Sequence, residues 1–287
     1  MRALDLKLND IRRDAAFDFS YPHCPQRCAE AEIKFPGLPL LIVDKTQQLV
    51  WGHDYFRFLM GRGRKNAAVL EADVVPNEAL FLNFNLSNHL FGLNLYEKLL
   101  FVRKISRYCP PAEIQRRVDL GFALNDDLYQ HLDGVLHISL RQPLATGLLS
   151  LKAALRLMDF SVSDRRVLLK LFLQVKFSES HQLLAMQLLE ETAFREKKPL
   201  SGLMATLLLT DLLDQEMPQQ KIMAAIRRLR FPELSRCEDE WRQWEKKRSV
   251  SGRVALAHVP LFAKEEIQIF FTVKNRLEAD ELLKKLK

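Results

Sequence analysis

Cysteine is scarce in this chain, with four in 287 residues. That is too few for a disulfide framework at this length. Two of them, Cys24 and Cys28, stand beside His23, but zinc asks for four ligands and no second Cys or His pair of fitting spacing follows. Reduced free thiols are the expectation. No run approaches the roughly 18–20 apolar residues of a membrane-crossing helix, so no membrane partner is expected. The opening MRALDLKLNDIRRD has no apolar core of the kind a secretory leader carries, which makes a cytoplasmic location the expectation. Repeats of fixed length are missing too, which excludes solenoids and propellers. Charge of one sign is also in short supply, because 43 basic residues face 36 acidic ones for a net +7. The excess is local. Residues 1–100 hold 12 basic and 12 acidic side chains, and residues 101–220 hold 15 and 14. Residues 221–253 hold 10 and 5, and the remainder 6 and 5. A polyanionic partner would meet the stretch 221–253, although a basic run of this size is as readily a solvated helix face.

What is present centres on residues 40–99. Leu40–Asp44 is a short aliphatic run of the buried-strand type, Lys45–Gln48 is polar, and Leu49–Trp51 is a second short strand ended by Gly52. From His53 to Met60 the apolar residues Tyr55, Phe56, Phe58, Leu59 and Met60 follow a roughly helical period, and Gly61 and Gly63 stop it. This strand–turn–strand–Gly–helix unit sets Gly52, His53 and Asp54 at a helix N-terminus, where free N–H groups and the helix dipole favour an anion. Asp54 is equally a good capping residue. Ala72–Val75 is expected as a further strand, Asn77–Asn83 as a helix, and Asn94 with Glu97 as a capping box opening a helix from Leu95 towards Tyr108.

The order of these elements resembles the N-terminal domain of the ParB family of chromosome- and plasmid-partition proteins, a fold shared with sulfiredoxin and some small kinases. The family's first motif, Gly-Glu-Arg-Arg before a helix and a Gly, is here Gly52-His53-Asp54-Tyr55, with Arg57 later and Gly61 or Gly63 at the end. The second, Glu-Asn-Leu-Gln-Arg and then Leu-Asn-Pro, is here Phe84-Asn85-Leu86-Ser87-Asn88 and then Leu93-Asn94-Leu95-Tyr96-Glu97. The resemblance implies CTP with Mg2+ as ligand and Gly52, His53, Asp54, Arg57 and Asn85 as its contacts. Family members grip the triphosphate with arginines, whose planar fork suits phosphate oxygens. Those places read Asp54, Tyr55 and Asn88 here, so the scaffold is expected without its phosphate-gripping side chains. Arg57, Arg62, Arg64 and Lys65 are the nearby substitutes.

Leu4–Leu8 alternates and reads as a strand, Phe17–Pro25 as a loop, and Arg27–Phe35 as a short helix. Beyond Pro111 the chain turns helical. Ala112–Val118 and Asp126–Leu132 flank a turn at Gly121, where ParB proteins carry a helix-turn-helix. Arg116 and Arg117 are its basic residues, whereas the second helix starts on Asn125-Asp126-Asp127, an acidic start for a recognition helix. From Leu148 to Leu213 amphipathic helices follow, opened at Ser150, at Ser163-Asp164, at Ser178 and at Leu200. His181 reads as a surface or capping histidine. Gln219–Arg228 and Glu233–Lys247 are helices, Arg253–His258 and Ile267–Val273 strands with a turn at Phe262–Glu266, and Leu277–Leu286 a last helix. This closing segment resembles the ParB dimerisation domain.

The expected fold class is α+β. A small mixed-sheet ParB/sulfiredoxin-like domain covers 1–108, a helical domain with a helix-turn-helix-like start covers 109–216, and a helix–strand–strand–helix dimerisation domain covers 217–287. The functional expectation is a ParB-like DNA-associated homodimer. Its phosphate contacts are Arg116, Arg117, Arg227, Arg228, Arg230, Lys246, Lys247 and Arg248, and the resemblance implies a partition-type ATPase as a further partner. The alternative is a protein-interaction adaptor on the same body. An enzyme is the weaker option. Sulfiredoxin chemistry needs a cysteine where His53 stands, and a nuclease or kinase would have only Asp54, Asp73 and Glu78 to work with.

Overall fold

The computed structural model describes residues 2–207, 216–248, 254–259 and 266–285. The chain forms two compact units, Met1–Leu183 and Leu184–Lys287, and its class is α+β.

The first unit opens with β1 (Arg2–Lys7), followed by a short 3-10 turn at Leu8–Asp10 and helix α1 (Pro25–Lys34). Strands β2 (Ile42–Val43) and β3 (Leu49–Trp51), helix α2 (His53–Gly61) and strand β4 (Asn66–Glu71) come next. The four strands lie in the order β1-β4-β2-β3. β1 pairs antiparallel with β4, β4 parallel with β2, and β2 antiparallel with β3. The side chains of Leu41, Val43, Leu49 and Val69 are wholly buried, and Phe56, Phe58 and Leu59 of α2 close over them. That burial is what places α2, and with it the Gly52 turn, against the sheet.

The expected order of strand, loop, short helix, strand pair, helix and strand is found. One strand is misplaced: Ala72–Val75 is not a strand, and the sheet is completed by Asn66–Glu71 instead. Pro76 follows directly and opens helix α3 (Pro76–Phe91), which runs well beyond Asn83 to Gly92. Helix α4 (Leu95–Ile105) starts on the expected capping box, with Asn94 accepting from the Glu97 N–H at 3.0 Å and Glu97 accepting from the Asn94 N–H at 2.9 Å. Phe81 and Phe84 of α3 and Phe19 pack on Phe101 of α4, with ring centroids 4.3–5.9 Å apart.

The remaining helices of this unit are α5 (Pro111–Arg117), α6 (Asp126–Val135), α7 (Ile138–Ala145), α8 (Leu151–Met158) and α9 (Val162–Gln174). Helix α7 is not among the expected helices, and its interior holds Pro143. Asn125 caps α6 and Ser150 caps α8. The cap of α9 is Ser161, whose Oγ accepts from the Asp164 N–H at 3.2 Å, and not Ser163. Gly121 sits in the α5–α6 turn at φ +77°. Helix α10 (Glu179–Glu196) spans the division between the units, and Ser178 caps it through the His181 N–H at 3.3 Å.

The second unit continues with α11 (Leu200–Thr206), α12 (Pro218–Arg230) and α13 (Pro232–Arg248). Strands β5 (Val254–His258) and β6 (Ile267–Phe271) pair antiparallel, and α14 (Arg276–Lys285) closes the chain. Residues 208–213 of the expected helix from Leu200, most of the turn at Phe262–Glu266, Arg253 and Leu286 lie outside the described residues.

Candidate functional site

Gly52 is where the site begins. Its φ is +91°, and a Cβ there would lie 2.2 Å from the Leu40 carbonyl oxygen. Only glycine lets the chain at Leu40, just before β2, and the start of α2 come this close, since L-residues carry a steric penalty at positive φ. The first-turn N–H groups of His53, Asp54 and Tyr55 have no helical carbonyl to bind, while the Phe56 N–H already reaches the Gly52 carbonyl at 2.8 Å.

This helix end has its own anion. The Asp54 carboxylate stands in the first turn of α2, where the dipole favours it. Its Oδ1 accepts from Arg57 Nη1 at 2.8 Å and lies 3.1 Å from His23 Nδ1. Arg57 is fully committed. Besides Asp54 it donates to Ser20 Oγ at 3.0 Å and to the Asp18 carboxylate. Burial acts to raise the Asp18 carboxyl, but the neighbouring His53, the hydrogen bonds from Ser20 and the Arg57 charge outweigh it and hold it below the ordinary range.

Around this cluster lies a recess lined by the Phe17–Pro25 loop, α1, the Gly52 turn, α3 and Glu97. Glu97 is completely buried and accepts from the Tyr21 N–H at 3.0 Å, with Arg27 at 3.5 Å. Burial raises its carboxyl, against the pull of the hydrogen bonds from Tyr21 and Asn94. On the opposite wall Asn83 donates to the carbonyls of Phe17 and Val50 at 2.7 and 2.9 Å. Ser87 donates to Asn83 Oδ1 and accepts from Trp51 Nε1, each at 3.1 Å. Asn83 therefore ties loop, strand and helix together.

His53 is 6% exposed, and its Nε2 is buried with no hydrogen-bond partner. Burial pulls its pKa down to about 4, against the attraction of Asp18. The ring is neutral at physiological pH and a poor general base there. Burial and the nearby Asp54 push the Cys28 thiol up to about 12, so it is not a nucleophile.

The fit to a triphosphate with Mg2+ fails on two counts. Asp18, Asp54 and Glu97 line the recess together with Arg27, and Arg57 is bonded into its wall, but both guanidinium groups already face carboxylates. The recess has a volume of about 40 Å³, on the order of three waters and far from a nucleotide.

Of the sequence-derived nucleotide contacts, the structure brings Gly52, His53 and Asp54 to the recess, with Arg57 bonded into its wall. Asn85 is exposed on α3, whereas Asn83 and Ser87 face the recess. A signal for Asn83 was available, because it stands on the apolar stripe of α3 with Ala79 and Leu80. Arg62 pairs with Glu32 at 3.2 Å, and Arg64 and Lys65 are exposed in the turn after α2. The carboxylates of the enzyme reading stay apart in separate pairs, Asp73 with Lys45 and Glu78 with Arg117.

Among the basic residues, Arg116 is exposed. Arg117 grips Glu78 with two hydrogen bonds of 2.8 and 2.6 Å and lies over the Phe81 ring. Arg227 pairs with Glu238 at 3.1 Å and Arg228 with Asp239 at 3.4 Å, both between α12 and α13. Arg230 pairs with Glu191 at 2.6 Å. Lys246 and Lys247 are exposed near the end of α13, which Arg248 completes.

No family model and no curated protein matches the sequence. Among the solved structures that align with the chain are two ParB N-domains. One is the C2221 form of a pNOB8-like ParB N-domain, at 14% identity over 86% of this chain and 96% of that one, with a TM-score of 0.39. The other, also a pNOB8-like ParB N-domain, is 16% identical over 79% and 94%, with a TM-score of 0.38. At these values the likeness says nothing of activity, ligand or partner.

Proposed function

We propose that this chain is a ParB-like DNA-associated protein that works as a dimer and grips the DNA backbone without a triphosphate at the Gly52 turn. The observation that carries this reading is the surface of α12 and α13. Residues 221–253 hold 10 basic against 5 acidic side chains, and Arg227 and Arg228 there are more than half exposed in their pairs. Exposed pairs of this kind are worth about 0–1 kcal/mol, so phosphates can take over the arginines with little loss. Such contacts position DNA without reading its sequence.

Dimerisation is supported by the β5–β6 hairpin. Ile267, Ile269 and Phe271 share one face of β6 and are 40–54% exposed. An isolated two-stranded hairpin is marginal in water, and a second copy would cover this face. On this reading residues 1–108, 109–216 and 217–287 are the scaffold, helical and dimerisation parts.

The second reading, a protein-interaction adaptor, is favoured by the internal neutralisation of the Gly52 turn and by Asp126 and Asp127 at the start of α6. A gel shift at low salt separates the two. A duplex retarded at low salt and released as salt rises supports the DNA reading, and no retardation at low salt overturns it. Thermal melting with CTP and with ATP tests the Gly52 turn, since a tight ligand would raise the midpoint by mass action.

A further inference from the structure

A second cleft, on the far part of α4, has no role in any of this. It is lined by Asp14, Ala15, Ala16, Leu100, Arg103, Lys104, Arg107 and Tyr108. Its volume is about 400 Å³, some ten times that of the recess at the Gly52 turn. Three cations line it. Arg103 pairs at 3.1 Å with Asp133, whose side chain is 82% exposed. Lys104 is half-buried and donates to the Ala15 carbonyl, and burial lowers its pKa against the attraction of Asp18 and Asp14. Arg107 is exposed and makes no ion pair among the described residues. Asp14 is the one carboxylate among the residues that line the cleft, and it is occupied in its own turn. It accepts from the Ala16 N–H at 2.8 Å and from Gln48 Nε2 at 3.2 Å.

A helix C-terminus favours basic residues in its last turn, and that accounts for Arg103 and Lys104. It does not account for Arg107 beyond the helix end or for an open cleft between these cations and the Asp14–Ala16 segment. Arg103 lies in the last turn of α4 and Arg107 in the turn that follows it, and both line the cleft with Lys104.

We propose that this cleft is a phosphate-binding site that holds the backbone of a nucleic-acid strand through Arg103, Lys104 and Arg107. The proposal rests on the DNA-associated reading but adds a contact in the first unit, remote in sequence from the basic residues of α12 and α13. A free nucleotide carries the same phosphate chemistry, and the test distinguishes it.

The experiment uses the full chain, a labelled 20-mer duplex read by fluorescence anisotropy across a salt series, and the variants Arg103→Ala/Arg107→Ala and Lys104→Gln. Melting curves confirm that each variant folds. The double variant is expected to bind about tenfold more weakly at moderate salt, with the slope of log affinity against log salt reduced by about 2. Lys104→Gln is expected to reduce it by about 1. If wild type binds and the variants match it in affinity and slope, the cleft assignment is overturned while the DNA reading stands. If wild type fails to bind at low salt, the DNA reading itself falls and takes this one with it. ATP is titrated alone as the free phosphate source. An ATP-induced shift in melting that depends on Arg103 and Arg107, with duplex binding indifferent to them, overturns the strand as occupant.

Discussion

Replacing His53 by glutamine should flatten the acid side of the stability profile. The folded ring has a pKa of about 4 because it is buried, while in the unfolded chain it returns to its ordinary 6.5. Between those values the unfolded chain takes up a proton that the fold refuses, so stability falls as pH falls through this window. Each unit is worth about 1.36 kcal/mol, which makes the full loss about 3 kcal/mol between neutrality and pH 4. For a unit of 183 residues, about 2–4 °C accompanies each kcal/mol, so the midpoint should drop by about 6–12 °C from this ring alone. Asp18, held low, adds a loss of the same sign as pH falls through the carboxylate range, and Glu97, held high, opposes it. Glu97 remains as it is in His53→Gln, whereas Asp18 loses one of the groups that hold it low, a change that also flattens the acid side, so the difference between the two proteins' melting profiles from pH 7 to pH 4 reads the ring together with its pull on Asp18. Parallel profiles, or an NMR titration placing the imidazole at 6 or above, would refute the account of a buried, neutral His53.

Other perturbations follow from the same geometry. Gly52→Ala must hold a positive φ and move the Leu40 carbonyl, and should lose about 3 kcal/mol or more by urea melting; a loss below about 1 kcal/mol would mean the turn has another conformation. Asn83→Ala leaves the Phe17 and Val50 carbonyls without their donor and should cost about 2–4 kcal/mol, against near-neutrality for the exposed Asn85→Ala. Ile269→Asp puts a charge on the open face of β6 and should turn a dimer into a monomer in light scattering, with unchanged mass contradicting the role given to that face.

Local chemistry was legible in the sequence, and contacts between distant segments were not. The Asn94–Glu97 box and the alternation over Leu4–Leu8 depend only on neighbouring residues, and both are found. Strand β4 was missed because Asn66-Ala67-Ala68 has little strand preference of its own. Its conformation comes from pairing with β1 on one side and β2 on the other. Ala72–Val75 has the better composition but runs into Pro76 and leaves the sheet. At the site, Gly52 and the Asp54, Tyr55 and Asn88 that stand where the resemblance led one to expect arginines could be read directly. The partners of Arg57 could not, since Asp18 comes from a loop some forty residues earlier that folds back over α2. Nor could the choice of Asn83 over Asn85, which is settled by the face of α3 that packs on β3.

The most direct test of the central claim is the anisotropy of a labelled duplex titrated with the full chain at rising salt, with and without CTP and Mg2+. Backbone contacts by surface arginines and lysines predict binding at low salt that falls steeply as salt rises and is unchanged by CTP. No binding at low salt, or binding that appears only when CTP is added, would contradict it.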